Sequence, residues 1–214
     1  PRGASKDPGT ARVMLGSFNA FDHIQAYLSH GPIQGTKKDR VMDEISLGKF
    51  NVESGQFMDL FETHKFRKLR DFERMESLKT GALFGAATAL GGVLGGEEED
   101  KIDTLRSAGA NIGTAFQFRD DLIDWGGDEK LAGKPLGIDL QRGRKTVFEV
   151  ASPREVYHSA LSLEEEAFRL LETIDEKKFL HLRKAAGEVE ESFNRVMKNN
   201  KLKEIRSSKL DDIC

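Results

Sequence analysis

The segment Phe116-Gln117-Phe118-Arg119-Asp120-Asp121-Leu122-Ile123-Asp124 leaves this chain few ways to fold. At about 100° per residue, a helix gathers Gln117, Asp120, Asp121 and Asp124 into one arc roughly 100° wide. Phe116, Phe118, Leu122 and Ile123 take most of the remaining circumference. Three carboxylates on one stripe repel one another, which is tolerable in water or where a hard cation sits among the oxygens. An acidic run on a helix is most often a solvated face. Here the acids are embedded in an apolar segment, Ile112 to Trp125, so the helix is expected to be buried on several sides. Lys134, Arg142, Arg144 and Lys145 follow closely and suit an anion held beside the acids. Oxygen donors at this density fit Mg²⁺, which keeps several waters and shares its shell with a substrate phosphate.

The rest of the chain reads as helices joined by short polar turns, an all-α domain spanning residues 1–214. Periodicity predicts helices over 11–28, 37–60, 71–94, 101–125, 155–174 and 177–197, with a frayed tail from Lys198 to Cys214. Gly48 and Gly55 weaken the second of these. The stretch Thr80 to Gly96 is apolar, glycine-interrupted and slightly short for a membrane span, so it reads as a buried helix central in its bundle. Asp39, Asp43 and Glu44 read as solvated helix charges, Glu164-Glu165-Glu166 as surface, and Trp125 as a core anchor.

A net charge of -3 gives no polyanion-binding surface, which argues against nucleic acid as a partner. The single cysteine, Cys214, excludes a disulfide framework and a thiolate metal site, and reads as a reducing, cytoplasmic setting. The five histidines lack metal-ligand spacing, and Gly91-Gly92 and Gly95-Gly96 follow no strand, so no dinucleotide loop is indicated. No signal-peptide pattern opens the chain, and Pro1 to Thr10 reads as an entry in mid-protein rather than a natural start.

Two further features carry chemistry. Lys79-Thr80 opens the apolar segment Gly81-Ala82-Leu83-Phe84, and a lysine at the edge of such a helix either snorkels to water or meets an anion. Gln56 and Asp59 stand three apart, on one helical face.

Taken in order, Gly55-Gln56-x-x-Asp59-Leu60, Lys79-Thr80-Gly81-Ala82-Leu83-Phe84, Phe116-Gln117-x-x-Asp120-Asp121-x-x-Asp124, Gly133-Lys134-Pro135-x-Gly137-x-Asp139 and Arg144-Lys145-Thr146 resemble the trans-type isoprenyl diphosphate synthases, which include farnesyl and geranylgeranyl diphosphate synthases. The resemblance is clear from Asp43 to Thr146. It implies an isoprenoid-synthase-type helical bundle with a central cavity, commonly a homodimer. The activity it implies is condensation of isopentenyl diphosphate with an allylic prenyl diphosphate, with Mg²⁺ as cofactor. It further implies that Asp120 is a direct metal ligand, with Asp121 and Asp124 acting through water or as outer-shell partners. Lys79, Lys134 and Lys145 would contact the allylic diphosphate, and Thr80 and Gln117 would present oxygens to the developing cation. Asp59 would position Lys79 or a metal-bound water, Gln56 would stand on the substrate side, and Phe116 would line the isopentenyl pocket.

The sequence departs from the family in one respect. The resemblance implies an earlier Asp-rich motif on an upstream helix, and none precedes Asp120 here. These 214 residues alone are therefore expected to be a poor catalyst, incomplete on the N-terminal side. The alternatives are a non-catalytic partner subunit in a heterodimer, which need not keep Lys79, Thr80, Gln117 and Lys134, and a terpene cyclase, which the Gly-Lys-Pro loop fits poorly.

Overall fold

The computed structural model describes residues 21–31, 33–137, 143–174 and 180–206. Every regular element among them is helical, and the only bridge is an isolated antiparallel pair, Gly127 with Met197. Helix α1 covers residues 21–29. It is followed by α2 (Thr36–Phe61), α3 (Leu69–Glu76), α4 (Ala82–Gly95), α5 (Glu99–Gly126), α6 (Glu129–Ala132), α7 (Pro153–Glu172), α8 (Leu180–Val196) and α9 (Asn199–Arg206). Between α3 and α4, Ser77–Gly81 forms a π-helical turn, so the two run on as one rod. Where their residues are described, the predicted helices fall on these elements; residues 11–20 of the first and 177–179 of the last lie outside the described residues, as do Pro1, Ile138, Asp139, Arg142 and Cys214.

Local chemistry sets the ends. Ser152 caps α7 by accepting the Glu155 N–H at 3.2 Å, while Pro153 supplies the fixed φ of a first turn. Gly96 closes α4 in the left-handed region at φ 79°, which a residue with a Cβ rarely adopts.

Helix α5 is the axis of the bundle. Ile102, Ala108, Ala115, Phe118 and Leu122 are wholly buried along it. α4 lies close against one side: a Cβ on Gly109 would stand 2.7 Å from the Phe84 carbonyl oxygen, and Thr88 Oγ1 donates to the Leu105 carbonyl at 2.7 Å. α7 packs on the other side. There Arg119 reaches Glu164 through two N–H···O bonds of 2.7 and 2.6 Å, beneath the Phe193 ring. That bidentate pair fixes the rotation of α5 and with it the direction of the acidic stripe.

Several expectations are corrected here. Glu164 is a partner of buried Arg119 rather than surface. Glu44 is buried, not solvated: Arg106 Nε donates to its Oε2 at 2.9 Å, tying α2 to α5. The tail does not fray as far as residue 206, because Leu202 and Ile205, spaced three apart, turn one face of α9 inward and bury Ile205 completely. The Thr80–Gly96 stretch is buried on one face only. Leu83 and Leu94 remain about half exposed, since no described element covers that side. Among the described residues, Leu69–Gly95 is the one helical run long and apolar enough to cross a membrane by length and composition. Its other face is occupied by α2 and α5.

Candidate active site

A cavity of about 570 Å³ opens where α2, the π-helical turn, α5 and the loop after α6 converge. The acidic stripe of α5 forms one wall: Gln117, Asp120, Asp121 and Asp124 all line it, as the helical arc requires. Asp59 enters from α2, Glu76 and Lys79 from the α3–α4 rod, Lys134 from the loop, and Arg144 and Lys145 from the segment before α7.

The lysines meet the acids. Lys134 Nζ donates to Asp120 Oδ1 at 2.5 Å, a half-exposed pair at the cavity mouth. Lys79 Nζ donates to Asp59 Oδ2 at 2.8 Å, and Gln56 Nε2 is 3.5 Å from the same oxygen. Asp124 Oδ1 accepts the Gly137 N–H at 2.9 Å, which ties the lysine-bearing loop to the stripe. A hydrogen-bond chain crosses the floor: Thr80 Oγ1 donates to Gln117 Oε1 at 3.2 Å, and Gln117 Nε2 donates to Asp121 Oδ1 at 3.2 Å. Lys145 Nζ donates to the Phe66 carbonyl at 2.8 Å. Gln56 and Thr80 thus touch cavity residues without lining the space. Phe116 is set apart: it is 44% exposed, its ring 5.9 Å from that of Phe84, outside the cavity wall. It does not line this cavity. Trp125 lines the cavity against Phe148 as well as touching the core.

Sequence reasoning missed Glu76. It lies one helical turn before Lys79 and Thr80, so its spacing to them was visible, but its burial was not. Only 5% of its surface is exposed, and its Oε2 has no hydrogen-bond partner among the described residues. Burial pushes its carboxyl up to about 8, with Asp121 and Asp59 adding to the shift against the pull of Lys79. Burial likewise pushes Asp121 up to about 7, with Asp120 and Asp124 contributing. Burial works to lower the Lys79 ammonium, yet Glu76 and Asp59 outweigh it and hold Lys79 above its ordinary value.

The pH consequence has a definite sign. The folded chain keeps a proton on Glu76 that the unfolded chain releases above its ordinary value of 4.5. Stability therefore declines as pH rises from about 4.5 to about 8. Glu76→Gln removes this loss. Without divalent metal, the variant is expected to melt near the wild type at pH 5 and to gain on the order of 1–2 kcal/mol by pH 8. Parallel melting curves that keep a constant gap between these pH values would refute that assignment.

Magnesium fits the donor set in a limited way. Among the described residues, no three carboxylate, imidazole or thiolate side chains converge closely enough to hold a metal alone. Asp120 is nevertheless accessible, and burial with carboxylate neighbours leaves Asp121 short of counter-charge. That suits an ion held by one or two carboxylates together with ligand oxygens.

An all-helical bundle with an aspartate stripe on its central helix and lysines across the cavity has the architecture of the isoprenoid synthases. Residues 6–185 match the polyprenyl synthetase family, and the chain belongs to that family. It is 31% identical over 157 residues to a short chain isoprenyl diphosphate synthase of Methanocaldococcus jannaschii, covering 72% of this chain and 46% of that protein. Against farnesyl diphosphate synthase of Bacillus subtilis it is 31% identical over 163 residues, covering 75% and 51%. The fold superposes on geranylgeranyl pyrophosphate synthetase of Pyrococcus horikoshii with a TM-score of 0.51 at 29% identity, over 83% of this chain and 59% of that one. It superposes on a Helicobacter pylori geranyltransferase, solved with magnesium and isoprenyl diphosphate, with a TM-score of 0.61 at 20% identity, over 81% and 55%. The chain spans about half the length of these two curated relatives.

Proposed function

We propose that this chain carries the second aspartate wall of a magnesium-dependent isoprenyl diphosphate synthase, which condenses isopentenyl diphosphate with an allylic diphosphate. One observation carries the reading: the acidic stripe, Lys79 and Lys134 share one cavity although they come from three separate parts of the chain. The charge balance supports it. With Glu76 holding its proton, the five other carboxyl groups around the cavity face four cationic side chains, a formal excess of one negative charge at most, so a free diphosphate meets no net attraction. A divalent cation accompanying it would supply that attraction.

Bound Mg²⁺ would neutralise charge on the departing diphosphate. The side chains do the remainder. Asp120, with Asp121 and Asp124 behind it, offers oxygens to the metal-bound ligand. Lys134 and Lys79 exchange their carboxylate partners for diphosphate oxygens as the ligand enters. Gln117, bonded to the Thr80 hydroxyl behind it, faces the allylic carbon as its C–O bond breaks and the electron pair leaves with diphosphate. The isopentenyl double bond then attacks the cation, and loss of a proton restores an alkene. The dimeric state belongs to the same proposal: Leu47, Phe50, Phe57 and Phe61 form an exposed apolar stripe along α2 that suits a second subunit, and a species of monomer mass on sedimentation would argue against it.

The test is an assay of the protein containing this chain, extended on its N-terminal side, with isopentenyl and allylic diphosphates. A longer prenyl diphosphate is expected with Mg²⁺, and none after chelation. Product from one prenyl diphosphate alone would indicate a cyclase. Inactivity relieved only by a second chain bearing an Asp-rich motif would indicate a partner subunit.

A further inference from the structure

Glu76 lines the cavity, yet no step above uses it. It closes α3 at the start of the π-helical turn, and Lys79 and Thr80 follow three and four residues later on the same side of the rod. Its Oε2 is buried without a hydrogen-bond partner among the described residues. A buried polar atom left unpaired is costly and rare in folded proteins, and where one persists beside a functional site it calls for a reason.

The Thr80 hydroxyl supplies that reason. It has a single hydrogen, which Gln117 Oε1 accepts at 3.2 Å, while the Glu76 carboxyl lies within hydrogen-bonding reach of the same hydroxyl. Gln117 cannot turn its amide over without losing the bond from Nε2 to Asp121. In this arrangement one lone pair of the Gln117 carbonyl is taken up by Thr80. An oxygen stabilises a carbocation by pointing lone pairs at it, and a hydroxyl does so only when its hydrogen is directed elsewhere. Two acceptors thus compete for one hydrogen, and the choice decides how many lone pairs Gln117 Oε1 can direct into the cavity.

We propose that Glu76 is a positioning residue: it accepts the Thr80 hydroxyl hydrogen during ionisation, so that Gln117 Oε1, which lines the cavity, is released from that bond and turns both lone pairs to the allylic cation. No covalent bond to Glu76 forms, and Glu76 does not touch substrate. The inference rests on the proposed synthase activity, and it deepens that reading by assigning a group the motifs do not contain.

The experiment measures kcat and KM for both diphosphates in the extended protein. It compares wild type, Glu76→Gln, Glu76→Leu, Thr80→Val and the Glu76→Leu/Thr80→Val double variant. Glu76→Leu is expected to lower kcat about 10- to 100-fold with both KM values within about twofold of wild type. Glu76→Gln keeps a carbonyl acceptor and should recover about half of that loss on a logarithmic scale. The double variant should be no slower than Thr80→Val by more than about threefold, because without the Thr80 hydroxyl there is no hydrogen for Glu76 to accept. Unchanged kcat in Glu76→Leu overturns the inference, as do a rise confined to KM and fully multiplicative effects. Should Glu76→Leu fail to fold, Glu76→Gln carries the same comparison with Thr80→Val. A wild type that turns over neither substrate pair refutes the synthase reading and this inference with it, whereas an active wild type with an indifferent Glu76 refutes only the inference.

Discussion

Asp120→Ala is expected to cut turnover of the extended protein by about 100- to 1,000-fold while leaving the fold intact. The two halves of that result have separate physical grounds. Asp120 is the stripe carboxylate at the cavity mouth, 41% exposed along its side chain and, among the described residues, bonded to Lys134 alone, so a metal-bound ligand can reach it first. Removing it takes away the oxygen best placed to hold that ligand in line for departure. The stability side is nearly neutral, because a half-exposed ion pair contributes about 0–1 kcal/mol and its loss also relieves repulsion within the stripe. Near-wild-type turnover in this variant, measured with both diphosphates at saturating Mg²⁺, would defeat the functional assignment. A large drop in melting temperature would instead mean that Asp120 is structural.

Gly55→Ala is expected to destabilise the chain by roughly 3 kcal/mol, lowering the melting temperature by about 6–12 °C. Helix propensity alone argues the reverse, since alanine is favoured over glycine by about 1 kcal/mol in a helix interior. Contact decides the sign. A Cβ at position 55 would stand 2.2 Å from the Lys79 backbone nitrogen and 2.6 Å from its Cα. Backbone atoms cannot rotate away as a side-chain tip can, so α2 must separate from the π-helical turn. That shift also draws Asp59 off Lys79, so binding of magnesium pyrophosphate should weaken along with stability. A variant that melts at or above the wild-type temperature would show that α2 and the turn are not in this contact.

Glycine is thus part of the site without any chemistry of its own. Read locally, Gly55 argues against a continuous helix, yet α2 runs through it from Thr36 to Phe61. What the residue provides is proximity: the α2 backbone approaches Lys79 closely enough for Asp59 to reach the ammonium group. Glu44 and Glu164 teach the same lesson with charges. Each looks like an ordinary solvated acid in its own segment, and each is taken up by an arginine on α5 distant in sequence.

The sequence by itself determined the helical class of this protein and the set of acids that share a face, because both follow from a 3.6-residue period acting over one or two turns. Asp120, Asp121, Asp124 and Gln117 had to form a stripe wherever their helix went. Only the tertiary structure decided what that stripe faces. The bidentate bond from Arg119 to Glu164 sets the rotation of α5, and the glycine contacts set how near Lys79 comes. Burial makes Glu76 a proton-holding group and leaves Phe116 outside the cavity. These outcomes depend on packing between segments tens of residues apart, where the strength of an interaction is set by distance and solvent exclusion rather than by residue type.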